Sequence, residues 1–85
     1  MSENGTFSVT VQYFAIMKDK AGCDEEQVTT AASTALELFE ELAGRHGFPS
    51  DTEGIKVVVN EEFRSWDHPV ADGDTVVFIP PVAGG

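Results

Sequence analysis

The stretch TALELFEELAGRHG, residues 34–47, carries the strongest helical pattern in the chain. Thr34 suits the N-cap position, and Glu37 three residues later completes a capping box. Gly47 suits the left-handed closing position at the other end. The pattern therefore predicts an amphipathic helix over residues 35–46. Its buried face is predicted to comprise Leu36, Phe39, Leu42 and Ala43, with Leu38 flanking them.

Two predicted strands precede this helix. The segment of residues 6–15 begins with alternating apolar and polar side chains, which is typical of a half-buried strand. Phe14 breaks the alternation, because it places a large apolar side chain on the polar side. Residues 18–22 are predicted to form a loop or a short helical turn, and residues 26–30 form a second strand.

Further strands are predicted after the helix. Residues 55–59, IKVVV, have the apolar character of a buried strand. Residues 60–62 are predicted to form a turn, after which Phe63 begins a short returning segment. Asp72-Gly73-Asp74 signals another tight turn, and residues 75–79, TVVFI, form the last strand.

The predicted order is strand, strand, helix, strand, short strand, strand. One amphipathic helix must cover one face of a small mixed sheet, so the fold class is α+β with about four to five strands. If the first and last strands lie side by side at the centre, the arrangement is the β-grasp, or ubiquitin-like, fold. We predict one β-grasp domain over residues 1–79 and an extended C-terminal tail over residues 80–85.

The composition favours a small acidic binding or carrier module. A chain of 85 residues forms one domain with little room for an enclosed cavity. The net charge of −10 argues against nucleic-acid and anionic-membrane partners and favours a basic one, although acidity also serves solubility alone. No apolar run is long enough to span a membrane, and the N-terminus does not resemble a secretory signal. We therefore expect a cytoplasmic protein.

The side chains form no recognisable catalytic or metal-binding motif. His46 ends the predicted helix and His68 lies in a loop, so both are interpreted as structural. Cys23 is the single cysteine and cannot form an internal disulfide. Scattered histidines and one cysteine make a poor metal site, and a phosphate-binding glycine motif is missing. We expect no metal, no intrinsically bound cofactor and no self-contained enzyme.

The C-terminal tail PPVAGG, residues 80–85, is where the chemistry is predicted. Pro80 ends the last strand because a proline cannot donate to the ladder, and Pro80 with Pro81 stiffens the exit from the sheet. The remaining four residues have shrinking side chains, and when extended they reach roughly 13 Å at about 3.4 Å per residue. This thin end suits a narrow pocket on another protein, where it would present the Gly85 carboxylate. The alternative is a terminus that ends in glycines by chance.

The Gly85 carboxylate is a poor electrophile and therefore needs an activating partner. An ATP-dependent enzyme would convert it to an acyl-adenylate, from which AMP is a good leaving group. A sulfur donor would replace AMP and leave a thiocarboxylate. The folded chain would then need no catalytic side chain of its own.

Motifs along nearly the whole chain are similar to those of one known family. The opening VQYFA of residues 11–15, followed by Lys18-Asp19 and Gly22, is similar to that family's first strand and loop, where Arg-Glu often stands in place of Lys18-Asp19. Further similar motifs are Val59-Asn60, Asp67-His68-Pro69, Asp72-Gly73-Asp74 and FIPPVAGG at residues 78–85, whose Pro-Pro-Val-x-Gly-Gly ending is the most specific. The chain thus resembles the MoaD-type sulfur carriers, the small subunit of molybdopterin synthase.

This resemblance implies a fold, a reaction and partners. The fold would be the β-grasp, and Gly85 would be adenylated by a ubiquitin-activating-type adenylyltransferase that uses ATP, then thiocarboxylated by a sulfur donor. The tail would insert into the large, MoaE-type subunit and give sulfur to cyclic pyranopterin monophosphate, which builds the dithiolene of molybdopterin. The complex would be a heterotetramer with a central dimer of large subunits. The inserted residues would be Pro81, Val82, Ala83 and Gly84.

The resemblance also implies an apolar contact surface on the sheet. The matching positions are Phe14, Phe63 and Ile79. The position of Phe14, out of phase with its strand, agrees with exposure to a partner. The alternative is that the three are ordinary core residues.

Three rival functions stay open. A ThiS-type carrier for thiazole synthesis would use the same tail chemistry with another acceptor, although such carriers are shorter and usually lack Pro-Pro before the glycines. A ubiquitin-like modifier would join Gly85 to lysines of target proteins, because an activated glycine can acylate an amine. A plain interaction module with an inert tail is the third.

Overall fold

A computed structural model describes residues 5–48, 52 and 54–81. The elements within those residues are β1 Phe7–Tyr13, α1 Ile16–Ala21, β2 Glu25–Thr30, α2 Ala35–His46, β3 Lys56–Val59, β4 Glu62–Arg64 and β5 Thr75–Ile79. The predicted bounds of the main helix and of the last strand agree with the structure. The predicted loop or helical turn of residues 18–22 corresponds to the last four residues of α1 and its C-cap, Gly22, and the helix begins earlier, at Ile16. Neither helix in the described ranges has the length and apolarity that a membrane crossing requires.

The strands form a single mixed sheet in the order β2-β1-β5-β3-β4. β1 and β5, the first and last strands, pair in parallel at the centre, and the other neighbours are antiparallel. This order confirms the predicted α+β class and the β-grasp arrangement. The central pair joins the two ends of the chain, so the C-terminal tail leaves from the middle of the sheet.

The core lies between α2 and one face of the sheet. The strands bury Val9, Val11, Tyr13, Val28, Val57, Val59, Val76 and Phe78 on that face, and α2 adds Ala35, Leu38, Phe39 and Leu42. Full burial of an aliphatic or aromatic side chain stabilises a fold by about 1.5–3 kcal/mol. The helix–sheet interface is therefore the main source of stability in this small domain.

The predicted buried face of α2 is partly wrong. Leu36 remains 36% exposed, whereas Leu38, predicted to flank the face, is fully buried. The rotation of the helix is set at its N-terminus, where the amides of Ala35 and Leu36 donate to the carbonyls of His68 at 3.0 Å and Trp66 at 2.9 Å. These two long-range bonds turn the stripe of residues 35, 38, 39 and 42 toward the sheet.

Both ends of α2 are closed as predicted. The Thr34 hydroxyl accepts from the Glu37 amide at 3.2 Å, and the Glu37 carboxylate accepts from the Ser33 amide at 2.7 Å. Hydrogen bonds from Ser33 hold the pKa of Glu37 below its usual value. Gly47 has a left-handed φ of 78°, and its amide donates to the Ala43 carbonyl at 2.8 Å. An N-cap of this kind contributes about 1 kcal/mol.

A half-buried hydrogen-bond cluster joins β1, β2 and the end of α2. The hydroxyl of the fully buried Tyr13 donates to Glu26, and the same carboxylate oxygen lies 2.7 Å from His46 Nε2. Burial raises the pKa of Glu26, but the hydrogen bonds from Tyr13 and His46 outweigh it and lower that pKa overall. Burial, together with the bond to Glu26, raises the pKa of Tyr13, so its hydroxyl remains a donor. The contacts of His46 are those of a structural residue.

We expect Glu26→Gln to lower the free energy of unfolding by about 1–2 kcal/mol at neutral pH, because it removes a charged acceptor from two hydrogen bonds. A carboxyl whose pKa is lower in the folded state stabilises the fold above its unfolded-state pKa of 4.5, and this contribution is lost as the pH falls through the folded-state value. The difference between the wild-type and variant free energies should therefore shrink in acid. Urea unfolding at a series of pH values from neutral to acid measures this difference in free energy. The control is Glu25→Gln, at an exposed position. An equal difference at neutral and acid pH would contradict this account.

Candidate docking face and C-terminal tail

The face of the sheet opposite α2, termed the open face, is covered by none of the described elements. Gln12 of β1 pairs with Val77 of β5, Val77 pairs with Val58 of β3, and Val58 pairs with Phe63 of β4. Directly paired residues point to the same side of a sheet. These four side chains therefore form a row across the open face.

The predicted contact residues Phe14, Phe63 and Ile79 lie on or beside the open face. Phe63 is 71% exposed and Phe14 is 49% exposed. Ile79 is half-buried and pairs with Lys56 on the open side of β5 and β3. Such exposure excludes Phe14 and Phe63 from the core, against the alternative that they are ordinary core residues. Their contact with a partner stays a prediction.

Phe14 is exposed because the chain turns sharply after β1. The Met17 amide donates to the Phe14 carbonyl at 3.2 Å, and Ala15 between them has φ 56° and ψ −128°. These angles belong to the first central residue of a type II′ turn, a position that favours glycine. The turn sends Met17 into the core and leaves Phe14 outside. An alanine with such angles is strained by about 1–3 kcal/mol, and strain of this kind is often kept near functional surfaces.

The centre of the open face carries little charge, although the net charge of the chain is −10. The outward positions of β1, β5 and β3 are Ser8, Thr10, Gln12, Thr75, Val77, Ile79, Lys56 and Val58. Lys56 is the one charged residue among these positions. Acidic side chains lie toward the edges, with Glu25 opposite Gln12 on β2 and Glu61 in the β3–β4 turn. A weakly charged centre with a polar rim is the usual anatomy of a protein–protein interface.

A groove of about 560 Å³ runs beside Phe63 at the β4 edge of the sheet. Its walls combine the aromatic rings of Phe63 and Trp66 with the basic side chains of Lys56 and Arg64. Arg64 forms an ion pair with Glu62. The groove is open to solvent, so it suits a side chain of another protein better than an enclosed small molecule.

The C-terminal tail leaves the sheet at the end of β5. Pro80 is half-buried and Pro81 is exposed. Residues 82–85, which include the predicted reactive Gly85, lie outside the described residues. The predicted extension of the tail and the role of its last residue therefore stay predictions.

The base of the tail lies close to the turn before β3. Gly54 in that turn and Pro81 in the tail each lie two residues beyond the last registered pair of β3 and β5, Lys56–Ile79. An added Cβ at Gly54 would lie 3.1 Å from Cβ of Pro81. Gly54 was not among the predicted site residues. Its signal is a glycine opposite a proline, which becomes visible only when the register of β3 and β5 is known.

The described residues contain no group of three or more His, Cys, Asp or Glu side chains placed to hold a metal ion. Cys23 is half-buried, with its thiol 3.9 Å from the Ala21 carbonyl oxygen. His68 is half-buried in the loop before β5, where its carbonyl accepts from Ala35 at the start of α2.

The sequence has recognisable relatives. Residues 11–85 match the model of the ThiS family. The chain is 32% identical over 80 residues to the molybdopterin synthase sulfur carrier subunit of Escherichia coli K12, which covers 91% of this chain and 99% of that protein.

Solved structures with the same fold include two with related names. A Pyrococcus furiosus protein, provisionally named molybdopterin converting factor subunit 1, is 34% identical with a TM-score of 0.72, over 89% of this chain and 99% of its own. A chain in the complex of subunits 1 and 2 of the molybdopterin-converting factor of Helicobacter pylori is 26% identical with a TM-score of 0.60. That match covers 93% of this chain and 100% of the other.

Proposed function

We propose that this chain, which belongs to the ThiS family, is the small sulfur-carrier subunit of a molybdopterin synthase. The observation that carries the proposal is the continuity between the open face and the base of the tail. Ile79 is the last residue of β5 and lies on the open face, Pro80 and Pro81 follow it directly, and Gly85 follows four residues after Pro81. A partner that binds the open face therefore also receives the chain end.

The reacting group in this proposal is the Gly85 carboxylate. An adenylyltransferase of the ubiquitin-activating type directs a carboxylate oxygen onto the α-phosphorus of ATP, so that pyrophosphate leaves and an acyl-adenylate forms. A donor that delivers sulfur as sulfide then attacks the acyl carbon, and AMP leaves with the bonding electron pair. A C-terminal thiocarboxylate remains. ATP is bound by the activating enzyme, and this chain supplies only the acyl group.

The sulfur acceptor in the proposal is cyclic pyranopterin monophosphate, held by the large, MoaE-type subunit. The tail enters that subunit and presents the thiocarboxylate to the pterin, since its last side chains shrink to hydrogen. Sulfur passes to the pterin and water restores the Gly85 carboxylate. The carrier is therefore recharged before each dithiolene sulfur is delivered. The name of the Escherichia coli relative supports this choice of reaction.

The open face is the docking surface for the large subunit in this proposal. Its weakly charged centre loses little solvation when it is covered, and Phe14 and Phe63 project apolar area toward the partner. The acidic rim favours a basic surface around the contact. The complex of subunits 1 and 2 in the Helicobacter pylori relative supports a large-subunit partner. We propose the same heterotetrameric assembly as for MoaD-type carriers.

Stepwise reconstitution tests the proposal. The purified chain is incubated with an activating enzyme, ATP and sulfide, and intact mass spectrometry is expected to show an oxygen-to-sulfur exchange located on Gly85. Addition of the large subunit and cyclic pyranopterin monophosphate should return the chain to its carboxylate form as molybdopterin appears. A chain that gains no sulfur at Gly85 would overturn the carrier function.

The same experiment separates the rival acceptors. Sulfur that passes to a thiazole precursor but not to the pterin would assign a ThiS-type carrier. If other proteins are added and Gly85 becomes joined to their lysines, the chain is a ubiquitin-like modifier. Each of these outcomes would replace the molybdopterin assignment.

A further inference from the structure

Gly54 lies so close to Pro81 that a larger residue in its place would crowd the proline ring. It lies in a turn in which the Ile55 amide donates to the Thr52 carbonyl at 3.0 Å, and its φ is 83°. An ideal Cβ at Gly54 would lie 3.1, 3.2 and 3.8 Å from Cβ, Cγ and Cδ of Pro81. The other described glycines with positive φ would place a Cβ with no atom within 4 Å; they are Gly5, Gly22, Gly47 and Gly73.

The contact replaces hydrogen bonds that the tail cannot make. Gly54 and Pro81 each lie two residues beyond the last registered pair of β3 and β5, Lys56–Ile79, and they lie close together. Pro80 and Pro81 have no backbone N–H, so neither can donate to the β3 ladder as the chain leaves the sheet. The ring of Pro81 instead occupies the space in which a side chain at position 54 would lie. Packing against Gly54 therefore helps to place Pro81, the last described residue, from which the rest of the tail continues.

We propose that Gly54 is a positioning residue for the C-terminal tail, which its contact with Pro81 aims toward the acceptor in the large subunit. This inference rests on the proposed sulfur-carrier function. It assigns to the turn before β3 a role in transfer that is separate from binding the partner and from activation of Gly85. Gly54 touches neither the pterin nor the reacting atoms.

A small displacement at Pro81 is amplified at the chain end. A Cβ at 3.1 Å forces its neighbour to move by a few tenths of an ångström. Over one residue of about 3.4 Å this is a tilt of roughly 5°. If residues 82–85 are extended, as the sequence predicts, such a tilt moves the chain end, roughly 13 Å away, by about 1 Å. Misplacement of a reacting atom by about 1 Å can slow a reaction by roughly 100-fold.

Gly54→Ala is tested against a matched control, Gly73→Ala. Both glycines have a positive φ in an exposed turn, 83° and 86°, so both variants carry similar backbone strain. Only the alanine at position 54 meets Pro81. We expect Gly54→Ala to slow single-turnover sulfur transfer by about 10- to 100-fold. Its Kd for the large subunit and its yield of thiocarboxylate should match those of Gly73→Ala, which should transfer at the wild-type rate.

Nuclear Overhauser contacts between the Gly54 Hα atoms and the Pro81 ring protons give a readout independent of transfer. They should be present in the wild-type protein. Equal transfer rates for Gly54→Ala and Gly73→Ala would overturn the proposal, as would the absence of the contacts in the wild-type protein. If Gly54→Ala does not fold, Pro81→Gly removes the ring without altering the turn. Because Pro81 is itself among the residues expected to enter the large subunit, transfer by this variant is measured with the large subunit at saturation. Slowed transfer under that condition would support the role of the contact, and an unchanged rate would overturn it.

The two proposals fail in different ways. If the wild-type chain forms no thiocarboxylate or transfers no sulfur, the proposed function fails, and the positioning role fails with it. If the wild-type chain transfers sulfur and Gly54→Ala transfers it equally fast, only the positioning role fails.

Discussion

Removal of Gly85 is expected to slow sulfur transfer by at least about 100-fold while leaving the fold intact. The new terminal carboxylate, on Gly84, would lie about 3.4 Å short of the original one, and a misplacement of about 1 Å already costs roughly 100-fold. The fold should survive because β5 ends at Ile79 and the last member of the described core is Phe78. This expectation rests on the proposed function.

Transfer is measured in the reconstituted system, and the melting temperature reports the fold. We expect the melting temperature of the truncated chain to stay within about 2 °C of the wild-type value, because no described core contact is removed. A companion variant carries one extra glycine after Gly85. It moves the carboxylate outward by the same length and should also block transfer. A truncated chain that transfers sulfur at the wild-type rate would remove the basis for the proposed chemistry.

Phe63→Asp is expected to weaken the complex with the large subunit by about 2–4 kcal/mol, or roughly 30- to 1,000-fold in Kd. Phe63 is 71% exposed and ends the row of paired side chains across the open face. Exposed aromatic side chains that become buried on binding are the commonest source of large losses on substitution. The introduced carboxylate would also have to lose its water against an apolar surface. Stability should change little, because Phe63 makes a minor contribution to the core.

Leu36→Asp is the matched control for Phe63→Asp. It also replaces an exposed apolar side chain with a carboxylate, so the change in net charge is the same. Leu36 lies on α2, which packs on the opposite side of the sheet from the open face. Titration calorimetry should give a Kd close to the wild-type value for Leu36→Asp. Equal losses for both variants would show that charge alone weakens binding, and a lost cooperative melt in Phe63→Asp would show that its ring supports the fold.

Most of the fold was predicted from local patterns in the sequence. The cap at Thr34 and the closing glycine at Gly47 predicted the ends of α2, and the structure confirms both. The rotation of α2 was predicted less well, because Leu36 and Leu38 differ little in a helical pattern. Backbone hydrogen bonds to Trp66 and His68, about thirty residues away in the chain, determine which of the two leucines is buried.

The candidate site likewise has features that the sequence predicted and features that it did not. Phe14 stood out in the sequence because it breaks the alternation of its strand, and it is exposed in the structure. The tail chemistry was predicted from the resemblance to the MoaD-type carriers and from the stiff, tapering shape of residues 80–85, and it stays a prediction. The Tyr13–Glu26–His46 cluster was not predicted, because its three members come from separate elements.

The sequence by itself determined the helix and its caps, the strand segments and the tail of small residues without charged side chains, because each depends on residues that are neighbours along the chain. Tertiary structure alone decided which side chains share the open face, how α2 is rotated and that Gly54 supports Pro81. Those features require the register between β1, β5 and β3. Register is set by the simultaneous packing of distant segments, so a local window of sequence does not contain it.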